Sequence, residues 1–307
     1  MFFLRCFQIF VFYASYFVFP VLIFLIWMLV FGNHWIELNL LIILVFLSLL
    51  FIYARFVEPN CIIVRHEKFF WGKKKTRIRI AVVSDLHLGV FKKRGFLKRV
   101  LEKTRFKNPD LLIVTGDLIN EPAVHEFGEL FSPFRTFDIP TFVVTGNHDS
   151  KMPGSFSSAE VRRALRGMVF SVDNAHFRFS KKGEIINIIG ISDLNEGKSD
   201  YSVLRSACSD QFNLLITHNP DTACELPLEV CPKGSCPHLL ISGHTHGGQV
   251  YAPAPFIHWI IPCKYRFLRG WYDVEGLPVY VTSGLGEVIF PFRFLVPPEI
   301  VIIDLYL

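Results

Sequence analysis

The stretch from Ile78 to His87 reads IRIAVVSDLH and predicts a buried strand that ends in a polar turn. Its first six residues are mostly apolar, as expected for a strand in a sheet that is covered on both faces. Asp85 and His87 then alternate with Leu86. Alternate residues just past a strand can direct two side chains toward one ion, so this stretch indicates both a fold class and a candidate site.

The same arrangement recurs along the chain, which predicts an α/β domain. Short apolar runs predict further strands at 111–114, 141–144, 185–191, 214–216, 239–241, 278–282 and 300–303. Apolar residues at helical spacing predict helices at 95–105 and 158–166. Because strands and helices alternate, we expect the domain to extend over residues 78–307.

Polar residues of a restricted kind follow five of these strands. They are Asp85 and His87 after the first, Asp117 after the second, Asn147, His148 and Asp149 after the third, His218 after the fourth, and His244 and His246 after the fifth. Ligands of open α/β sheets gather beyond the carboxyl ends of the strands. We therefore expect these side chains to lie together.

Seven of these residues are suitable metal ligands: Asp85, His87, Asp117, Asn147, His218, His244 and His246. Carboxylate, imidazole and amide donors suit Mn²⁺, Zn²⁺ or Fe, and the absence of thiolates disfavours a structural zinc site. Seven donors are too many for one four-coordinate ion, so two ions sharing a carboxylate are expected. Two neighbouring metals can clamp a phosphoryl group.

Each motif taken alone also has a simpler explanation. A Gly-Asp pair is commonly a turn, a single Asp-x-His can be a turn residue beside a surface histidine, and His218 can be a satisfied polar residue at a strand end. The five motifs together, in order and each at the end of a strand, favour a metal site.

The motif series resembles the calcineurin-like metallophosphoesterase family, and the match covers residues 78–307. The resemblance implies a four-layer sandwich of two mixed sheets flanked by helices. It implies that Asp85, His87 and His246 hold one metal, that Asp117 bridges, and that Asn147, His218 and His244 hold the other. His148 would stabilise the transition state or protonate the leaving group, with Asp149 orienting it. Residues 281–286, 291–294 and 297–300 are similar to the membrane-associated bacterial branch.

Two departures from the family pattern bear on the substrate. Protein phosphatases of the family continue the second motif with a phosphate-binding Arg, whereas Asp117 is followed by Leu-Ile-Asn-Glu, and GNHD replaces their usual GNHE. A protein phosphatase is therefore disfavoured. Arg293 is a candidate phosphate contact or a structural ion-pair partner, and Arg266 and Arg269 are further candidates. The aromatic stretches 256–262, 265–272 and 288–296 form core packing or accommodate acyl chains.

The N-terminal 56 residues predict a two-span membrane anchor. The apolar run from Cys6 to Phe31 exceeds the roughly 20 residues needed to cross a bilayer. A second run, Leu40–Ala54, is nearer the lower limit, and an interfacial position for it stays open. We therefore divide the chain into an anchor at 1–56, a basic juxtamembrane linker at 57–77 and a catalytic domain at 78–307.

The net charge of +5 is concentrated beside this anchor. Residues 57–79 alone carry +5 and residues 80–307 carry −1, so a nucleic-acid-binding face is disfavoured. Lys and Arg flank both spans, whereas the turn between them has none, which places both chain ends in the cytoplasm. Seven Cys without a pairing pattern fit a reducing compartment. We expect a multi-pass protein of the inner membrane with its catalytic domain in the cytoplasm.

These observations favour a membrane-associated phosphoester as substrate. Within the family, the closest fit is the UDP-2,3-diacylglucosamine pyrophosphatases of lipid A synthesis, which release UMP and 2,3-diacylglucosamine 1-phosphate. The alternative is a broad-specificity membrane phosphodiesterase acting on phospholipid or cell-envelope phosphodiesters. An inert scaffold is disfavoured because no expected ligand is missing. The implied cofactors are two divalent ions, Mn first and Fe or Zn as alternatives. The bilayer is the expected partner, and no protein partner is inferred.

Overall fold

A computed structural model of the chain describes residues 2–32, 38–72, 76–150, 156–194, 199–207, 211–226, 237–251 and 267–307. The strands are β1 (Ile63–Phe70), β2 (Arg77–Val83), β3 (Leu88–Gly89), β4 (Leu111–Thr115), β5 (Ile119–Asn120), β6 (Thr141–Val144), β7 (Phe170–Ser171), β8 (Ala175–Lys181), β9 (Glu184–Gly190), β10 (Phe212–Ile216), β11 (Leu239–Ser242), β12 (Gly270–Val274), β13 (Leu277–Val281) and β14 (Glu299–Tyr306). The α-helices are α1 (Phe2–Ala14), α2 (Val18–Phe31), α3 (Leu38–Ile52), α4 (Arg94–Arg105), α5 (Phe127–Leu130), α6 (Ser158–Leu165), α7 (Ser202–Ala207) and α8 (Thr222–Glu225).

Most strands belong to two six-stranded mixed sheets. The first sheet has the order β1-β14-β2-β4-β6-β7, in which only the β14–β2 pair is antiparallel. The second has the order β12-β13-β11-β10-β9-β8, in which the two edge strands β12 and β8 are antiparallel to their neighbours. The predicted α/β class with two mixed sheets is confirmed.

Alternate residues of the central strands pack on opposite faces of each sheet. In β2, Ile80 and Val82 belong to a core cluster that also contains Ile188 and Leu214 of the second sheet. Ala81 and Val83 of β2 instead pack in a cluster with residues of α4 and α6. A third cluster joins the other face of the second sheet to residues of α7 and α8. Because both faces are covered, the strands read as continuous apolar runs.

The segment predicted to be a linker, 57–77, contains the edge strand β1. All eight residues of β1 pair in parallel with β14, from Ile63 opposite Glu299 to Phe70 opposite Tyr306. Arg65 Nε also forms an ion pair with Glu299 Oε2 at 2.9 Å. The boundary placed at residue 78 is corrected here, since residues 63–70 are part of the first sheet.

Two apolar helical segments precede the sheets, Phe3–Phe31 and Leu38–Asn60, and both are long and apolar enough to cross a membrane. Helices α2 and α3 pack on each other, so the two segments can form a hairpin. A short 3₁₀ turn at Ser15–Phe17 separates α1 from α2. Pro20 accounts for it, because Pro cannot donate the backbone hydrogen bond to the carbonyl four residues earlier.

The end of the second apolar segment is docked on the sheets by hydrogen bonds. Glu58 accepts from the backbone N–H of Leu295 at 2.8 Å and of Val296 at 2.6 Å. The Ala54 carbonyl accepts from the Arg293 backbone N–H at 3.0 Å. These bonds fix the exit of the apolar segment against the 293–296 loop.

Helix α1 also contacts the rest of the fold. The Phe7 ring lies edge-on to Phe290 with ring centroids 6.2 Å apart. Gln8 Nε2 donates to Asn120 Oδ1 at 3.4 Å in a buried position. The first half of the first apolar segment therefore contacts residues that follow the two apolar segments in the chain.

Candidate metal centre

Loops from both sheets meet at one end of the inter-sheet core. Asp85 follows β2 and Asp117 follows β4 in the first sheet, whereas His218 follows β10 and His244 follows β11 in the second. Because parallel strands end at a common edge, the polar loops converge there as predicted.

The Asp and His ligand candidates form two groups of donor atoms that share one carboxylate. The first group is Asp85, His87, Asp117 and His246, and the second is Asp117, His218 and His244. All donor atoms within a group lie within 4.8 Å of one another, and every residue is buried. Asp117 is common to both groups, which is the arrangement expected of a carboxylate shared by two ions.

Distances within the first group fit ligands around one cation. His87 Nε2 lies 3.0 Å from His246 Nε2 and 3.5 Å from Asp117 Oδ2. His246 Nε2 lies 3.4 Å from Asp85 Oδ1. Two neutral imidazole nitrogens this close repel through their lone pairs unless a proton or a cation lies between them.

The second group is equally compact and includes the predicted amide ligand. His218 Nε2 lies 3.3 Å from Asp117 Oδ2 and 3.1 Å from Asn147 Oδ1. His244 Nδ1 lies 3.1 Å from the same His218 nitrogen. The structure thus brings together all seven predicted ligands.

Five of these seven residues have a left-handed backbone, with φ between 44° and 73°: Asp85, His87, Asp117, His244 and His246. Positive φ is uncommon outside glycine, and residues held in such regions cluster at functional sites. The loops therefore adopt strained conformations that direct several donors to one point.

Glycine is required where the loops touch. A Cβ at Gly146 would overlap the Asp117 carboxylate, and a Cβ at Gly243 would overlap the Ser84 hydroxyl. Two neighbouring loops can approach this closely only because these positions lack side chains.

Burial and mutual contact separate the pKa values of the site groups. Burial lowers the pKa of His87 to about 3 and that of His246 well below its usual 6.5, so both imidazoles are neutral. Burial raises the pKa of Asp117, but His218 and His148 outweigh it and hold that pKa well below 3.8. Neutral His87 and His246 beside an ionised Asp117 are the forms that bind a cation. In the second group, burial lowers the pKa of His218, but Asp117 outweighs it and holds that pKa well above 6.5.

His148 lies beside the donor groups without belonging to either. Its ring is edge-on to His87 with centroids 5.0 Å apart, and its backbone N–H donates to Asp117 Oδ1 at 2.9 Å. The side chain is half-buried and lines the adjoining cavity. This position suits the predicted role of a non-ligand histidine that faces substrate.

Asp149 does not orient His148 as the sequence predicted. Its carboxylate accepts from the backbone N–H groups of Gly146 at 2.9 Å, Leu118 at 2.9 Å and Ile119 at 3.1 Å. Burial and then the nearby Asp117 raise its pKa, and the N–H groups of Gly146 and Leu118 partly offset that rise. Asp149 therefore ties the Asp117 loop to the Asn147 loop.

Arg293 does not serve as the predicted phosphate contact. The side chain is fully buried, and its N–H groups donate to the carbonyls of Ser283 at 3.0 Å, Val296 at 3.1 Å and Gly286 at 2.6 Å. Nη2 also lies 3.4 Å from His246 Nδ1. Three backbone carbonyls and this ring therefore surround the guanidinium, which leaves none of it exposed to a substrate.

Of the other two arginine candidates, the structure describes Arg269 only. Arg269 is half-buried, and its Cδ would lie 3.2 Å from a Cβ built on Gly247, the residue after His246. Its side chain thus passes beside the backbone that follows His246. Arg266 lies outside the described residues, as do residues 256–262 of the aromatic stretch.

A cavity of about 580 Å³ adjoins the donor groups. One wall contains Asp117, Asn147, His148, His244 and His246, and the other is apolar, formed by Val250, Val288, Ile289, Phe290 and Phe292. Ile289 is 49% exposed and Phe290 is 40% exposed. This part of the 288–296 stretch therefore lines the site instead of packing in a core.

Gln249 is a site residue that the sequence reasoning missed. Its amide oxygen accepts from the Val288 N–H at 2.9 Å, and its amide nitrogen donates to the Val288 carbonyl at 3.2 Å and the Phe290 carbonyl at 3.1 Å. It thereby holds the apolar wall against the last metal motif. Its place directly after Gly247 and Gly248 was the available signal.

Known proteins match a large part of this chain. The profile of the calcineurin-like phosphoesterase family matches residues 78–248. The uncharacterized metallophosphoesterase YkuE of Bacillus subtilis is 32% identical over 268 residues, which cover 82% of this chain and 88% of that protein. The uncharacterized metallophosphoesterase Cj0846 of Campylobacter jejuni is 30% identical over 241 residues, which cover 75% of this chain and 60% of that protein.

One similar protein carries a substrate in its name. The UDP-2,3-diacylglucosamine pyrophosphatase LpxG of Chlamydia muridarum is 26% identical over 311 residues, which cover 83% of this chain and 92% of that protein.

Proposed function

The chain belongs to the calcineurin-like phosphoesterase family, and on that premise we propose that it cleaves the pyrophosphate of UDP-2,3-diacylglucosamine at the membrane. The coarser assignment, a phosphohydrolase with a dinuclear metal site, follows from the family and the two donor groups. The products would be UMP and 2,3-diacylglucosamine 1-phosphate, as in lipid A synthesis.

The observation that carries this proposal is the apolar wall opposite the donor groups. Phe290 and Ile289 are exposed in a cavity that also contains Asp117 and His148, and Phe290 contacts Phe7 of helix α1. A substrate with a phosphoryl group and acyl chains would place its phosphoryl group at the metals and its acyl chains along this wall. The 26% identical Chlamydia protein supports the same substrate.

The residues present fit the two metals that the family implies. We assign Asp85, His87 and His246 to one ion, Asn147, His218 and His244 to the other, and Asp117 to both. We retain Mn²⁺ as the proposed ion, with Fe or Zn as alternatives. Such ions would polarise the phosphoryl oxygens and favour ionisation of a water at neutral pH.

The chain's own side chains supply binding and proton transfer. His148 would donate a proton to the leaving group, because it faces the cavity and is no member of either donor group. Arg269 stays a proposed phosphate contact, since its side chain passes beside Gly247. The apolar wall would position the acyl chains.

The N-terminal helices support a proposed location. We propose a two-span anchor over residues 1–56 in the inner membrane, with the catalytic domain in the cytoplasm. The length and apolar composition of both segments and the Lys and Arg flanking them support this proposal.

A hydrolysis assay tests the substrate. Full-length protein in detergent with Mn²⁺ should release UMP from UDP-2,3-diacylglucosamine, and Asp117→Asn and Asn147→Ala should each abolish release. Asp138→Asn is the matched control, because Asp138 lies on the surface with its side chain 79% exposed. If simple phosphodiesters are cleaved and UMP is never released with Mn, Fe or Zn, the broad phosphodiesterase is the correct function.

A further inference from the structure

A second cavity, of about 540 Å³, lies between the N-terminal helices and the sheets. Phe12 and Tyr16 of the first apolar segment and Arg55 and Phe56 of the second form part of its wall. It shares no lining residue with the catalytic cavity. The loop 287–292 separates the two, with Glu287 and Pro291 lining this cavity and the loop's other residues lining the catalytic one.

The lining of this second cavity carries an excess of positive charge. Four cations line it, Arg55, Lys92, Lys93 and Arg99, against the single carboxylate of Glu287. Lys92 Nζ pairs with Glu287 at 3.1 Å, and Lys93 Nζ pairs with Glu126 at 2.6 Å. Arg99 meets an uncharged acceptor, the Asn60 amide oxygen, at 3.5 Å. After these pairings two guanidinium charges, those of Arg55 and Arg99, face the cavity.

Arg55 has an unsatisfied donor although it is buried. Its side chain is only 7% exposed, and its guanidinium lies 4.6 Å from the ring centroids of both Phe12 and Phe56. Nε donates to Ser15 Oγ at 2.9 Å, whereas Nη2 has no hydrogen-bond partner. A buried donor of a charged group is costly to leave unpaired. An anionic oxygen in the cavity would satisfy it.

The beginning of helix α4 contributes further positive potential. Lys93, the residue before the helix, provides no side-chain cap, and Gly95 in the first turn lines the cavity. A Cβ at Gly95 would meet nothing within 4 Å, so the space next to this turn is open. The free N–H groups and dipole at the start of a helix favour an anion such as phosphate.

We propose that this cavity binds the phosphate of an anionic phospholipid at the membrane surface. Arg55 and Arg99 would bind phosphate oxygens, and the beginning of α4 would add backbone donors. A lipid is the occupant because Phe12, Tyr16 and Phe56 lie on the two apolar segments. The cavity therefore opens where those segments meet the sheets, and its aromatic side can contact the glycerol and the first acyl carbons.

Native mass spectrometry of the full-length protein in detergent tests this site. The wild-type protein should retain phosphatidylglycerol in preference to phosphatidylcholine. Arg99→Gln should weaken phosphatidylglycerol retention about tenfold, as expected for loss of a charge-assisted hydrogen bond. Arg105→Gln is the matched control on the same helix, because its guanidinium pairs with Asp138 outside the cavity. Its retention of phosphatidylglycerol should equal that of wild type.

Two further arms separate the possible outcomes. Arg55→Gln should reduce phosphatidylglycerol retention by a similar factor, and circular dichroism would verify that this more buried variant is folded. ³¹P NMR with inorganic phosphate should show no Arg99-dependent binding. Equal retention of the two lipids, unchanged retention in a folded Arg99→Gln protein, or Arg99-dependent binding of inorganic phosphate without lipid preference would each overturn the proposal. Lipid retention is measured without any hydrolysis, so its outcome does not depend on the proposed substrate. Catalytic activity of Arg99→Gln is measured separately.

Discussion

His148 is the titratable lining residue of the catalytic cavity that belongs to neither donor group. We expect His148→Ala to slow turnover by roughly 10²–10⁴-fold, the usual cost of losing general acid–base help. Metal content measured by plasma mass spectrometry should stay at two ions per chain, because His148 belongs to neither donor group.

His125→Ala is the control for this experiment, since His125 is exposed and lies outside the cavity. It should retain both turnover and metal. Loss of metal from His148→Ala would show that His148 is a ligand after all.

Asp149 gives a prediction of a different kind, because its partners are backbone N–H groups. Asp149→Asn would place an amide NH₂ against at least one of the N–H groups of Gly146, Leu118 and Ile119. We expect the free energy of unfolding to fall by about 1–3 kcal/mol, the cost of a buried donor without a partner. Thermal unfolding with and without metal would measure it.

The two possible roles of Asp149 differ in their signature. A loop-tying residue affects stability and metal affinity together, since the Asp117 and Asn147 loops would loosen. An unchanged melting temperature with a shifted pH dependence of turnover would instead restore the role of orienting His148. Asp138→Asn, on the surface, should change neither quantity.

Individual side chains divide into those that local sequence could identify and those that it could not. The metal ligands were identifiable because each follows an apolar strand, and strand ends converge by a general rule. Arg293 was not, because its partners are carbonyls on neighbouring loops and the ring of His246. The local sequence around an arginine that follows an aromatic run is the same whether the side chain is exposed to phosphate or buried among carbonyls.

Strands β2 and β14 are joined by an ion pair as well as by their ladder. Arg79 donates two hydrogen bonds to Asp304, from Nε to Oδ1 at 2.7 Å and from Nη2 to Oδ2 at 3.1 Å. We expect Asp304→Asn to lower the free energy of unfolding by about 1–2 kcal/mol, since hydrogen bonds to charged groups are stronger than neutral ones. Denaturant unfolding would measure this loss.

The pH dependence of this pair follows from the pKa of Asp304. Its hydrogen bond with Arg79 lowers that pKa below the usual 3.8. A carboxyl with a depressed folded-state pKa stabilises the fold above the unfolded-state pKa, and the contribution is lost as pH falls through the folded-state value. The difference in stability between wild type and Asp304→Asn should therefore be full at pH 6 and shrink below about pH 4. A difference that grows on acidification would contradict this account.

The edge strand β1 shows why some elements could not be predicted from the sequence. Its residues, IVRHEKFF, include four charged or polar side chains, and they follow an apolar helix and precede a Lys run. That composition is typical of a juxtamembrane linker. An edge strand buries only part of its surface, and its partner β14 is about 230 residues away in sequence. Only the tertiary pairing distinguishes the two.

Across the whole molecule, charge and apolar segments together predict a topology. A reporter fused after Leu307 should be active only in its cytoplasmic form, and one inserted at Gly32 should be active only outside. The reason is that Lys and Arg flank the hairpin on one side, whereas its turn has none. An active exoplasmic reporter at the C-terminus would overturn the orientation and favour the cell-envelope phosphodiesterase.

The contacts between the anchor and the catalytic domain could not be predicted from the sequence. Apolar length predicted the helices, and both are present. Nothing local indicated that Glu58 would accept from the 295–296 backbone or that Phe7 would meet Phe290. Such contacts depend on the completed sheets, because the loops that carry them are fixed only by long-range pairing.

Strand β14 imposes an order on biosynthesis. It pairs with both β1 and β2, so the first sheet has no continuous ladder between these two strands until β14 has been translated. At about 5–20 residues per second, a ribosome would need roughly 10–50 s to make the intervening chain. During that interval the apolar helices would already have left the exit tunnel, while the β1 and β2 edges stayed unpaired. The nascent chain would thus wait at the bilayer in a state that needs protection from aggregation.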